Sequence, residues 1–533
     1  MTDEESQPAS APQDAYPDDK EYGSDDSRNQ ASEGQADLSK VDTNKSIAEK
    51  ISLGREILFI GVICCAQLTT QAGLGQCLDI LQVIGDSYGL TNPGELSWLI
   101  AAYSLTVGTF ILIAGRLGDV YGYKRMLLIG FSWFSLWSMI AGLAVYSNHV
   151  LFNFARVFQG MGPALILPNG LAILGASYAP GPRKAMVFGL FGGCAPGGAI
   201  IGAAFAGLFS LAWWPWTFWS FAIALACITL VGSWAIPDPP KKASTPKSLR
   251  EAINELDLLG GFCGVTALVL INFAWNQSGV VGWQKAYVYV CLILGFLFVP
   301  LFFYIELRLS TSPLIPFDVL SSDVAFVLGC VACGWSCFGI WVFYIWEFFE
   351  ILRGATPLQA AAWSSPVAIS GMLASIATGF LLGRLKPAWV MTIALTAFIT
   401  GTILITTAPV DQMYWKQSFV CLVIIPWGMD MSFPAATLIL SNAVSKKHQG
   451  IAASLVITIV NYSISLSLGF AGTIDSHVNN GGRTPEDILK GFRGAWYLAI
   501  GLAGLGLFLS LTFLCKQYWK GGDKPSEKKE EPA

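Results

Sequence analysis

Apolar blocks of about 20 residues recur along the whole chain between short polar breaks. A helix that long matches a hydrocarbon core of ~30 Å. This one feature restricts the chain to an all-α membrane protein, because a segment crossing lipid must satisfy its backbone internally. Composition agrees: 53% of residues are hydrophobic and 13% charged, where a soluble domain carries about 25% charge. The net charge of −4 is uninformative, because the charges are segregated. Residues 1–50 are rich in Asp, Glu, Ser, Gln and Pro and read as a disordered tail, as does the polar stretch after Cys515. No apolar run lies near Met1, so no signal peptide is expected and the first span acts as its own insertion signal. The 12 cysteines fall almost entirely inside apolar blocks, away from any oxidising aqueous compartment. Cys330, Cys333 and Cys337 share a helical spacing and read as small packing residues rather than a metal cluster.

About fourteen spans are expected on length, among them Leu96–Ala114, Val324–Tyr344, Leu358–Leu382 and Ala495–Cys515. Of the 32 basic residues, only Lys285, Arg353, Lys416, Arg483, Lys490 and Arg493 fall on one side, and Arg156 lies within a span. The rest fall on the side of the N-terminus, which the positive-inside rule makes cytoplasmic. Both termini are then cytoplasmic. Trp213, Trp214, Trp216 and Trp219 read as an outer interfacial belt.

Two sets of six spans look related. Gly115-Arg116-Leu117 follows the second span of one set, and Gly383-Arg384-Leu385 follows that of the other. "GMGPALILPN" from Gly160 has a counterpart in "GMDMSFPAATLILSN" from Gly428, and each leads to a basic pair, Arg183-Lys184 and Lys446-Lys447. The expected organisation is a tail over 1–54, a six-helix bundle over 55–238, a linker with two extra helices over 239–310, a second bundle over 311–515 and a tail over 516–533. Parallel six-helix halves with a midplane site between them describe a class of secondary transporter.

Individual residues carry the chemistry. The stretch "GRLGDVYGYKRMLL" reads as a charged cytoplasmic turn: Gly115 and Gly118 allow close helix approach, Gly122 permits a positive φ, and Asp119 can pair with a basic residue or a helix N-terminus. Arg156 within a span is costly and by default functional. Asp430, within an apolar run, can exchange a proton. Gln71, Asn461 and Trp335 are candidate cavity residues. Asp79 lies near the outer end of the first span, and Glu347 and Glu350 lie near the outer mouth. Asn276-Gln277-Ser278 fits a glycosylation acceptor in an outer loop. His149, His448 and His477 are too scattered for a metal site, and no nucleotide loop of the GxxxxGK[ST] type occurs. No cofactor, nucleic acid or obligate protein partner is expected.

"GRLGDVYGYKRMLL" resembles the signature between the second and third helices of the major facilitator superfamily, through Gly115, Leu117, Gly118, Asp119, Gly122, Lys124 and Arg125. Tyr123 departs from it, standing where a basic residue is usual. The resemblance implies a conformational latch. "NFARVFQGMGPALILPNG" is similar to the family's fourth-helix motif, which implies a part for Arg156 in proton coupling. "GLFGGCAPGGAIIGAAFAG" resembles the antiporter motif through Gly193, Pro196, Gly197, Gly198 and Gly202; ordinary small-residue packing would give the same glycines. The whole of 55–515 resembles fourteen-helix drug:proton antiporters, including fungal aminotriazole-resistance and boron exporters. The implied function is export of a small toxic compound, drug or metabolite by proton antiport and alternating access, in the plasma membrane or else the vacuolar one. Its partners are the substrate, protons and the lipid bilayer. The same fungal group includes low-affinity ammonium transport, so a small-solute importer is one alternative and a non-transporting nutrient sensor another. An enzyme is not expected.

Overall fold

The computed structural model describes residues 51–90, 92–178, 182–237, 254–315, 322–443 and 449–522. The tail over 1–50, Lys241 and Lys242 in the linker, the pair Lys446-Lys447 with His448, and the end of the tail over 523–533 lie outside the described residues. Among the described residues, fourteen helical segments are long and apolar enough to cross a membrane. Among the described residues there is no strand.

The helices are α1 Leu53–Asp79, α2 Leu81–Tyr88, α3 Pro93–Tyr121, α4 Tyr123–Leu143, α5 His149–Ser177, α6 Pro182–Ser210 and α7 Pro215–Ala235. Two more follow as a hairpin, α8 Leu258–Val281 and α9 Ala286–Arg308. The rest are α10 Ser322–Glu347, α11 Pro357–Ser364, α12 Pro366–Leu382, α13 Pro387–Thr406, α14 Gln417–Ala443, α15 Gln449–Val478 and α16 Pro485–Gly522. We call the face at which α1 begins proximal and the opposite face distal. An even number of crossings returns α16 to the proximal face.

Within the first set, α1 packs on α6, and α5 on α3 and α4; within the second, α13 packs on α14, and α16 on α10. The two sets meet along two seams, α3 against α15 and α6 against α11 and α12. Small residues make both seams possible. A Cβ on Gly108 would stand 2.9 Å from the Tyr462 backbone nitrogen, and one on Gly207 would stand 2.9 Å from Leu358. With no hydrophobic drive between helices in lipid, such backbone approach is where packing energy comes from.

The helices overrun the expected spans, because their polar ends continue past the apolar window. α16 begins ten residues before Ala495, at Pro485, and α10 runs to Glu347, then through a π-helical turn at Phe348–Leu352. The span Leu358–Leu382 is broken: α11 ends at Ser364, and Pro366 opens α12, since proline cannot supply the hydrogen bond that would continue the first helix. The charged turn is also corrected. Gly115 to Tyr121 form the last two turns of α3, and only Gly122, at φ 98°, breaks the helix. Asn276 lies not in a loop but inside α8, buried, its amide donating to the Asn272 and Ser465 carbonyls. Of the tryptophan belt, Trp213 and Trp216 are exposed, but Trp214 is buried against Tyr88 and Phe152.

Candidate functional site

Arg156 is fully buried two turns into α5 from the distal face. Its Nε donates to the Leu99 carbonyl at 3.0 Å and its Nη1 to the Gly73 carbonyl at 3.0 Å and to Gln159 Oε1 at 2.5 Å. Gln159 donates on to Ser138 Oγ at 2.7 Å. The guanidinium lies 4.5 Å from the centroid of Tyr103, whose hydroxyl donates to the Thr70 carbonyl. One cation thus ties α1, α3 and α5 together, and Gln159 extends the network to α4. Its Nη2 has no partner among the described residues. Every partner belongs to the first set, so Arg156 and Asp430 are not brought together.

Asp430 lies instead at a seam. A Cβ on Gly371 of α12 would stand 2.7 Å from Asp430 Oδ2 and 2.7 Å from Pro196 Cβ of α6. That glycine therefore holds the proline of the first set and the carboxyl group of the second in one tight contact. Asp430 Oδ2 has no hydrogen-bond partner among the described residues. The glycines around Pro196 divide. Gly198 and Gly202 lie so close to the Leu68 and Ala72 carbonyls of α1 that neither position has room for a Cβ, whereas Gly193 and Gly197 face open space. Two of the five motif residues therefore pack α6 on α1, and Pro196 faces the other set.

At the proximal end, Gly118 abuts the Asn169 carboxamide, and Gly115 lies 3.6 Å, at its Cβ position, from Ser454 Oγ of α15. Asp119 is exposed and accepts from the Tyr123 hydroxyl at 2.5 Å. Lys124 is half-buried and Arg125 exposed. Arg116 reaches furthest, donating to the Ser312 and Pro313 carbonyls at 2.7 and 2.5 Å, so the stretch also holds the segment after α9. Arg384, at the matching place in the second set, instead covers the Phe380 ring at 3.9 Å.

The three candidate cavity residues lie on three different helices, α15, α10 and α1. Asn461 spends its amide on the Ile457 carbonyl of its own helix, at the α3–α15 seam. Trp335 donates to Ser432 Oγ between α10 and α14. Gln71 is half-buried on α1. Three structural participants went unread: Gln159 and Asn169, both inside quoted motifs, and Asp475. The i, i+3 spacing of Arg156 and Gln159 was the available signal for the first. Among the described residues no group of three His, Cys, Asp or Glu converges as a metal site would require.

Solved structures and related sequences agree with this architecture. A peptide transporter, POT, superposes with a TM-score of 0.63 over 89% of this chain and 98% of its own, at 16% identity. The low affinity ammonium transporter of Saccharomyces cerevisiae is 55% identical over 90% of this chain and 92% of its own length. The efflux pump terJ of Aspergillus terreus is 48% identical over 88% and 90%, and the aminotriazole resistance protein of S. cerevisiae 37% over 88% and 85%. The model of the Major Facilitator Superfamily matches residues 78–466 and 324–533. Fourteen membrane-length helices in this packing, with relatives that are transporters rather than enzymes, make this chain a member of the major facilitator superfamily, a multi-pass transporter of small molecules.

Proposed function

We propose that this transporter exports a small molecule by proton antiport, with the sets over 55–238 and 311–515 rocking about a site between them. The extra hairpin within 239–310 rides between the two sets. Both termini lie in the cytoplasm and the membrane is the plasma membrane. The observation that carries the reading is the contact at Gly371. There Asp430, whose carboxyl group is hydrogen-bonded to Ser375 while its Oδ2 has no partner among the described residues, meets Pro196 of the opposite set. A group that gains and loses a proton at a moving seam can bias which face is open, because a ligand shifts an equilibrium only by its differential affinity for the two states. Arg156 rigidifies the distal part of the first set, and the Arg116–Asp119 stretch latches the proximal part.

Reconstituted vesicles test this. Aminotriazole flux out of the cytoplasmic side should follow an imposed pH gradient in the wild type. Asp430→Asn should abolish the pH dependence at normal protein level. Gradient-driven flux that persists in Asp430→Asn removes this carboxyl group from the mechanism. The second reading, a facilitator for ammonium, is favoured by the relative at 55% identity. Methylammonium entry that needs no counter-moving proton would select it.

A further inference from the structure

Two carboxyl groups meet at the proximal end of the extra hairpin. Asp257 stands just before α8, and Glu306 lies in the last turn of α9. They are 5% and 3% exposed. A Cβ on Gly260 would stand 2.7 Å from Asp257 Oδ2 and 2.7 Å from Glu306 Oε1, and the two side chains lie within hydrogen-bond range of each other. Those same two oxygens are buried and receive no donor from any other described group. Asp257 Oδ1 caps α8 by accepting from the Gly260 nitrogen, with the Asp257 backbone held at φ 47°, which is uncommon for a residue other than glycine. An ionised carboxylate only accepts, whereas a protonated carboxyl group also donates. Two facing carboxylates repel. One proton between them turns the contact into a charge-assisted hydrogen bond and satisfies both open oxygens at once.

The pair holds the residues that lead from the hairpin toward the second set. Glu306 Oε2 accepts from the Ile315 nitrogen at 3.4 Å, and the same carboxyl group accepts from the Leu314 nitrogen. Arg116 of α3 grips this segment through its carbonyls, at Ser312 and Pro313. The Leu314 side chain packs where α8 meets α3: a Cβ on Gly261 would stand 3.0 Å from Ile113 and 3.6 Å from Leu314. Residues 310–315 are therefore held between α3 and the acid pair.

The other titratable groups around the pair are committed elsewhere or neutral. Cys263 of α8 lies within electrostatic reach of Asp257. Glu255 is half-buried and Arg308 exposed. On α3, Arg116 is spent on the two carbonyls, and Asp119 accepts from Tyr123. From Gln449, α15 carries no titratable residue until Tyr462, whose hydroxyl donates to the Leu268 carbonyl. Residues 310–315 carry none. Neither acid forms an ion pair with a described residue. We propose that Asp257 and Glu306 share one proton and so form a pH-sensitive clamp on residues 310–315 at the proximal face. Release of the segment opens Glu306 to water, where an ordinary glutamic acid gives up its proton near about pH 4.3. The docked state then holds one proton more than the released state. Docking is favoured at low pH and weakens as pH rises, by up to about tenfold per pH unit.

Hydrogen exchange of the full chain in nanodiscs tests this. Exchange is read at the Leu314 and Ile315 amides between about pH 5 and about pH 9, relative to the intrinsic rate at each pH, in tetramethylammonium chloride at constant ionic strength. Wild-type protection should fall with pH, by up to about tenfold per unit over part of the range. Glu306→Gln replaces the shared proton with an amide donor while its oxygen still accepts from Ile315, so protection should persist at every pH. Asp257→Asn should behave alike, and it decides alone if Glu306→Gln does not fold. Wild-type protection that does not change with pH overturns the clamp, as does wild-type pH dependence in either folded variant. Protection restored at high pH by sodium or calcium chloride would make the shared occupant a metal ion and overturn the proton assignment.

Discussion

Arg156 and Asp430 look alike in a sequence, each a charged residue in an apolar run, and the structure gives them different work. Arg156 is a hub whose hydrogen bonds end on backbone carbonyls of two neighbouring helices. Both carbonyls lie inside helices and keep their intrahelical donors, so truncating Arg156 would cost the charge-assisted bonds themselves, about 1.5–3 kcal/mol each. Its burial was legible in the sequence; its partners were not, because a carbonyl acceptor has no side-chain signature. Asp430 matters through Gly371, which sequence inspection passed over as one small residue among many. The glycine is required there because Pro196 and Asp430 close on it from two sides. Gly371→Val should therefore insert normally and lose transport by about tenfold or more, a cost of over 1.4 kcal/mol at the seam. Flux per molecule of vesicle-inserted protein checks this, and wild-type flux would show that the seam has slack.

At the scale of elements, span number and order were legible because hydrocarbon thickness sets a length that hydropathy reports directly. Helix ends were not, since a helix leaving the membrane keeps its hydrogen bonds while its side chains turn polar. The "GRLGD" stretch shows the difficulty: its charges and glycines imitate a turn, yet Arg116 and Asp119 ride on the end of α3. The extra hairpin shows a second limit. Asn272 and Asn276 of α8 bond to Ser465 of α15, whose hydroxyl also donates to the Ala101 carbonyl of α3. These amides dock the hairpin into the α3–α15 seam, which reading Asn276 as a glycosylation acceptor missed. Asn276→Leu should lower Tm by a few degrees, for a loss of about 1 kcal/mol. Treatment of the wild type with a glycosidase should leave its electrophoretic mobility unchanged. A mobility shift that Asn276→Gln abolishes would place Asn276 outside the helix.

For the whole molecule, the account rests on two sets of helices that separate and close along their seams. The distal face is where they touch through Gln82 and Glu347 and through Gly207 and Leu358. Those contacts are partly polar, as suits an interface that opens in each cycle. Sequence repeats pointed to two sets, but which residues meet between them depends on packing that no single helix encodes. The most direct test is a distance measurement between spin labels at Leu211 and Gln359, exposed positions at the distal ends of α6 and α11. A pair at Leu211 and Tyr146, both in the first set, serves as the control. Rocking predicts two Leu211–Gln359 distances whose balance shifts with pH or with methylammonium, while the control distance holds constant. A single Leu211–Gln359 distance under every condition would contradict alternating access in this chain.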